Sequence, residues 1–180
     1  MKHDFMRYQR QQPYGTIDGS SFSGGNGDGS DAFGGAGAEF NHQNHANLNV
    51  DDSSFNGGDG TYGGHGGAGV SYHGNHDHAY FDDSSFSGGD GTHGGHGGDA
   101  LSYHGNRNHL TFDDSTFDNG DGRHGGDALS YHGNHAHITI YDDDYHRGDG
   151  SYRGFTDGIH GKHNHVTVIG ENGRPHELRV

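Results

Sequence analysis

The residues with the clearest chemistry are the histidines, 20 in a chain of 180. Many fall in a repeated closing motif, His73-Gly74-Asn75-His76-Asp77-His78, which returns as His132-Gly133-Asn134-His135-Ala136-His137 and His160-Gly161-Lys162-His163-Asn164-His165. On an extended strand, residues two apart share a face, about 6.5–7 Å apart along the chain. His76/His78, His135/His137 and His163/His165 are therefore expected to offer paired imidazoles to one side. Two nitrogens hold a transition metal weakly, whereas three identical chains around an axis would supply an octahedral six. Imidazole suits iron, nickel, copper and zinc, and zinc more often takes four ligands. Two copies of the motif depart: Arg107 stands in the first place and leaves His109, and Asn47 stands in the second and leaves His45. The plainer alternative is that all of these are exposed polar strand residues. A further column, His42, His73, His104, His132 and His160, lies on the opposite strand face and reads as packing or hydrogen bonding.

The elements that position these residues are repeats. Asp51-Asp52-Ser53-Ser54-Phe55 returns at 82–86 and, as Asp-Asp-Ser-Thr-Phe, at 113–117; Gly-Asp-Gly recurs at 27–29, 58–60, 89–91, 120–122 and 148–150. The position of His45 recurs at 76, 107, 135 and 163, so steps of 31 give way to steps of 28. A loss of three residues would put a 3.6-residue helix or a two-residue strand out of phase. It leaves a three-residue helix of the polyproline II kind in phase. Gly57, Gly60, Gly63, Gly66 and Gly69 follow that period, as do Gly88, Gly91, Gly94 and Gly97. Between these triplets, 128–131, 137–141 and 165–169 read as short strands, and Asn172-Gly173 as a hairpin turn. The expected organisation is an N-terminal arm over 1–17, five Gly/His-rich repeats over 18–169 and a tail over 170–180. Phe55, Phe86 and Phe117, with Tyr72, Tyr103 and Tyr131, are expected to form apolar layers.

The motifs Gly74-Asn75-His76-Asp77-His78, Gly133-Asn134-His135-Ala136-His137 and Gly161-Lys162-His163-Asn164-His165 resemble the repeated Gly-x-His-x-His motifs of bacteriophage tail-fibre tips. That resemblance implies a slender homotrimer with a row of axial iron ions. It implies His76, His78, His135, His137, His163 and His165 as ligands, with His109 and His45 as weaker ones. The glycine triplets resemble, in composition only, the glycine-rich helical sandwiches of some phage adhesins. Gly94-Gly95-His96-Gly97-Gly98-Asp99-Ala100-Leu101-Ser102 also resembles the calcium-binding nonapeptide of RTX proteins. On that alternative Asp99 and Asp127 would bind calcium, although Ala68 replaces the aspartate one unit earlier.

Composition narrows the classes. Leu, Ile, Val and Phe together make 25 of 180 residues, below the share at which a highly charged chain ordinarily folds around its own core. Cysteine is absent, so neither disulfides nor thiolate zinc sites can compensate. The formal charge of −15 becomes −15 + 20 = +5 if every histidine is protonated. Acidity at neutral pH disfavours nucleic acid and anionic membrane, and no apolar run reaches the roughly 18 residues of a membrane span. The repeated columns lack the singular constellation of an enzyme site.

The sequence therefore predicts an all-β, partly irregular, elongated Gly-rich fibre of short strands and polyglycine-II-like triplets, intertwined as a homotrimer. The expected role is a non-enzymatic receptor-binding fibre or tip of a phage virion, made in the host cytoplasm and stabilised by iron, with zinc or nickel also possible. Its expected partners are other virion or baseplate proteins, through the arm, and a host surface receptor. The alternative is a secreted or surface metal-binding repeat protein, using calcium or histidine-bound metal and able to form filaments.

Overall fold

The computed structural model describes residues 6–8, 14–27, 32–141, 144–146, 158–169 and 175–179. Every regular element among them is a strand. β1 (Met6–Tyr8), β2 (Tyr14–Asp18) and β3 (Ser21–Ser23) begin the chain, followed by β4 (Ala38–Asn44), β5 (Asn47–Asp51) and β6 (Ser54–Asn56). β7 (Val70–Asn75), β8 (His78–Asp82) and β9 (Ser85–Ser87) repeat the pattern, as do β10 (Leu101–His104), β11 (His109–Asp113) and β12 (Thr116–Asp118). β13 (Leu129–His132), β14 (His137–Tyr141) and β15 (Asp144–His146) follow, then β16 (Ile159–His160), β17 (His165–Ile169) and β18 (Pro175–Arg179). Each strand pairs in parallel with its equivalent one repeat away, giving three sheets of order β1-β4-β7-β10-β13-β16, β18-β17-β14-β11-β8-β5-β2 and β15-β12-β9-β6-β3. These are sheets A, B and C of a β-solenoid, and one sequence repeat is one coil.

The coil explains how so few apolar residues suffice. Strand alternation sends every second side chain inward. One coil fills its share of the interior with Val70, Tyr72, Ala79, Phe81 and Phe86, all buried. Equivalent residues stack in columns: Phe22, Phe55, Phe86 and Phe117 lie with ring centroids 5.1–5.5 Å apart, and Tyr72, Tyr103 and Tyr131 at 4.4 and 5.6 Å. The aromatic layers expected from the sequence are these columns. The interior that the sequence reading left to partner chains is closed within one chain.

The glycine triplets run out from sheet C and back to sheet A, and they bond between neighbours. Gly58 N–H donates to Gly35 O, Gly67 to Gly58, Gly89 to Gly67, Gly98 to Gly89, Gly120 to Gly98 and Gly126 to Gly120. Other amides in the same arms reach the next coil, as Gly57 does to Ser87 O and Gly66 to His96 O. Backbones packed this closely exclude side chains: a Cβ on Gly34, Gly57, Gly66 or Gly97 would fall on a neighbouring glycine's carbonyl oxygen. The repeat shortens from 31 to 28 between β12 and β13, inside a glycine arm, and the flanking register is undisturbed, with Phe86 opposite Phe117 and Leu101 opposite Leu129.

The stretches read as arm and tail also enter the sheets. β1 pairs with β4 and β2 with β5, so residues of the first 17 belong to a sixth coil. β18 pairs antiparallel with β17, as the Asn172-Gly173 signal implies; the turn itself, the Gly-Asp-Gly at 148–150, and residues 1–5 and 9–13 of the arm lie outside the described residues.

Close backbone packing makes a sharp prediction. Gly97→Ala sets a methyl against the carbonyl of Gly120, whereas Gly94, at φ +95°, has nothing within 4 Å of its would-be Cβ. Gly94→Ala should cost about 1–2 kcal/mol for the left-handed backbone, and Gly97→Ala about 3 kcal/mol or more. Urea unfolding of the two variants measures the difference, and equal costs would contradict the packing.

Candidate functional site

The corner between sheets A and B decides where the paired histidines go. His45, His76, Arg107, His135 and His163 all hold left-handed backbone, φ 57–61°. Each therefore turns the chain from one sheet into the next, and only the second histidine begins a strand of sheet B. The sequence expectation of one extended strand with both imidazoles on one face is thus replaced by two columns. The next residue faces inward: Asp77, Asn108, Ala136 and Asn164 are buried. The corner between sheets B and C uses the same device. Asp52, Asp83 and Asp114 have φ 44–46°, and buried Ser53 and Ser84 donate from Oγ to the carbonyls of Asp51 and Asp82, each at 2.8 Å. Left-handed backbone is uncommon outside glycine, with Asn, Asp and His the usual exceptions. Arg107 is the departure at these corners.

Four imidazole columns result. On sheet B, His78–His109, His109–His137 and His137–His165 lie 4.7, 5.0 and 5.8 Å apart between centroids. At the corner, His45 stacks on His76 at 4.8 Å and His135 on His163 at 4.9 Å, while Arg107 interrupts, its Nη1 lying 3.2 Å from His76 Nε2. On sheet A, His73, His104, His132 and His160 stack at 4.8–4.9 Å; this is the column expected to pack or hydrogen-bond, and its rings lie outside the interior. His42 lies in β4, and its side chain is outside the described residues. The glycine arms carry a fourth, His65–His96–His124, at 4.4 and 4.6 Å. Most of these rings lie within about 20° of parallel and aim their in-plane lone pairs side by side, whereas His96–His124, His132–His160 and His137–His165 are tilted by 45–56°. A single column therefore offers donors to several ions or partners more readily than it chelates one. Among the described residues no three metal-ligating side chains converge.

Charge follows the same columns. Burial first, then the flanking imidazoles, lowers the pKa of His96, His104 and His109 from the ordinary value. Burial first, then the neighbouring carboxylates led by Asp113, raises that of Asp82. Inside, Asp77 is fully buried and accepts from Ala46 N–H at 2.8 Å and Tyr103 O–H at 3.3 Å. Burial holds its carboxyl above the usual range against those hydrogen bonds. One coil on, Asn108 fills the same place, accepting from Asp77 N–H and donating to Gly74 O.

The alternative calcium residues, Asp99 and Asp127, occupy equivalent places in successive coils. Their 28-residue separation is one coil. Asp99 Oδ1 accepts the Asp127 N–H at 2.9 Å, and burial raises the Asp99 pKa. The sequence reading did not single out Asn75, Asn106 and Asn134. Their amides form a ladder in which Asn106 and Asn134 donate from both N–H and Nδ2 to the Oδ1 of the preceding asparagine at 2.8–3.2 Å. The signal was present: asparagine precedes the corner residue in consecutive copies.

No family model matches the chain, and neither a curated protein nor a solved structure does.

Two predictions concern these charges. A histidine whose folded pKa is depressed leaves the unfolded chain binding more protons. Its share of stability is complete above the ordinary value near 6.5 and is lost as pH falls through it toward the folded value. Melting between pH 7.5 and 5.5 should therefore show a falling Tm, and a flat profile would contradict the stacked columns. For Asp77, whose folded pKa is raised, stability falls as pH rises through the carboxylate range. Asp77→Asn, which copies Asn108, should raise the urea midpoint at pH 7, with a smaller gain at pH 4. A loss at pH 7 would show that the carboxylate itself is required.

Proposed function

We propose that this protein is a non-enzymatic structural and binding element, a β-solenoid receptor-binding fibre or tip of a phage virion whose outward imidazole columns hold transition-metal ions. The observation that carries the reading is the repetition of exposed imidazoles, one per coil, on a scaffold closed by its own hydrogen bonds. Neutral imidazoles are suitable donors for iron, the preferred ion, and for zinc or nickel. His78, His109, His137 and His165 would supply the sheet B donors, and His45, His76, His135 and His163 the corner donors. Because rings within one column do not converge, a complete ligand set would draw on both columns, water or further copies, as a homotrimer would provide. Metal held between copies would add rigidity at the contact.

One observation favours a second reading, a secreted or surface metal-binding repeat protein. The interior is filled by a single chain, with Phe86, Phe112, Phe117, Leu129 and Ile140 at zero exposure, so a monomer has its own core. Calcium at Asp99 and Asp127 belongs to that reading.

Native mass measured together with elemental content separates these. A trimer carrying iron, zinc or nickel is the expected result. A transition-metal-loaded monomer would favour the second reading, and a protein binding calcium alone would overturn the imidazole proposal. His135→Asn with His137→Gln, where asparagine tolerates the left-handed corner, should lower bound metal and remove the metal-dependent rise in Tm, while leaving the metal-free Tm within a few degrees. Unchanged metal content would remove this pair from the site.

A further inference from the structure

The corner between sheets A and B is an open groove of about 740 Å³, lined by Asn75, His76, Asn106, Arg107, Asn134, His135, Lys162 and His163. No carboxylate lines it, although acidic residues outnumber basic ones 25 to 10 in the whole chain. Arg107 and Lys162 are exposed, and neither has an ion-pair partner among the described residues. Asp77, next to His76 in sequence, is turned inward and held by Ala46 and Tyr103. The two cations stand beside a ladder of amides, two coils apart and therefore about 9–10 Å apart along the solenoid.

We propose that this groove binds an extended anionic polysaccharide, its carboxylates or sulfates on Arg107, Lys162 and the corner imidazoles and its hydroxyls on the asparagine ladder. Arg107 is the principal anchor, since a guanidinium can engage a carboxylate or sulfate through two parallel N–H donors. The asparagines suit a hydroxyl-rich ligand because each amide has a donor or acceptor direction beyond those its ladder uses. Nucleic acid fits less well. A strand with a phosphate at every nucleotide must approach a chain of charge −15. A glycan with charges set farther apart meets less repulsion. The groove shares His76, His135 and His163 with the corner donors proposed for metal, though its anchors Arg107 and Lys162 are not metal donors, and it does not require the chain to belong to a virion.

The test uses the full chain after chelator treatment, so that metal cannot bridge the ligand. Oligogalacturonate and a sulfated glycan are the probes, with neutral dextran and single-stranded DNA as comparisons, all by calorimetry at two salt concentrations. Binding of at least one acidic glycan, weakened by salt, and none of dextran is the expected result. Arg107→Gln with Lys162→Gln should weaken it about tenfold or more. Arg123→Gln, on a glycine arm outside the groove, should leave it within twofold. In the wild-type protein the ligand should shift the imidazole resonances of His135 and His163 but not those of His73, so the site can be located even if a variant folds poorly. Failure of both acidic glycans to bind, equal weakening by Arg123→Gln, or tighter binding of DNA would each overturn the proposal. None of these outcomes depends on metal content, so this inference and the metal reading fail separately.

Discussion

Every column in this protein follows from one constraint: each coil hydrogen-bonds in register to the coil beside it. In-register parallel pairing places like on like about every 4.8 Å. Apolar and amide side chains gain from this. The phenylalanines stack at 5.1–5.5 Å, and the asparagines complete one another's hydrogen bonds. Ionisable groups do not, because two like charges at that separation repel by roughly 1 kcal/mol in water and more where water is excluded. The protein keeps its acidic and imidazole columns on the outside and at the corners, where solvent screens them. Asp77 is the one fully buried carboxylate among the described residues, and its place is taken by asparagine one coil later and by alanine the coil after that.

The glycine arms show the same constraint where side chains are absent. There the backbone is itself the packed layer, bonded both within the coil and between coils. A linker of flexible glycine would tolerate any small residue. These arms tolerate none at Gly34, Gly57, Gly66 or Gly97, because neighbouring carbonyls occupy the space a Cβ would need. Composition therefore misleads: a low apolar fraction suggested that order must come from metal and partners. A narrow interior needs only about five apolar residues per coil, and carbonyl–amide packing in the arms needs none.

Much of this was legible in the sequence. The 31- and 28-residue steps are coil lengths, the triplets are the arms, and Phe55, Phe86 and Phe117 form a buried column. Closure within one chain was not legible, because a repeat shows which residues are equivalent but not whether equivalents meet within one chain or between chains. The corner conformation was also hidden. Histidines two apart share a face only if the residue between them continues the strand, and His76, at φ 60°, ends it. The asparagine before His45, His76 and His135 was the available clue, since that residue type repeats where a side-chain amide must span two coils.

Departures from a column show what the fold does not require. Arg107 interrupts the corner imidazoles, so His76 and His135 each lack the ring that His45 and His163 supply on their other sides, and a bulky side chain takes a left-handed backbone that favours small polar residues. Lys162 ends the asparagine ladder. Its own N–H is already satisfied by Asn134 Oδ1 at 2.8 Å, so the coil would close equally well around a neutral residue. Neither cation is needed for packing, and the first works against stacking. Both open onto one groove that no carboxylate lines. In a fold where register makes repetition the cheapest solution, two unlike residues of the same charge on one groove are best explained by what the groove binds.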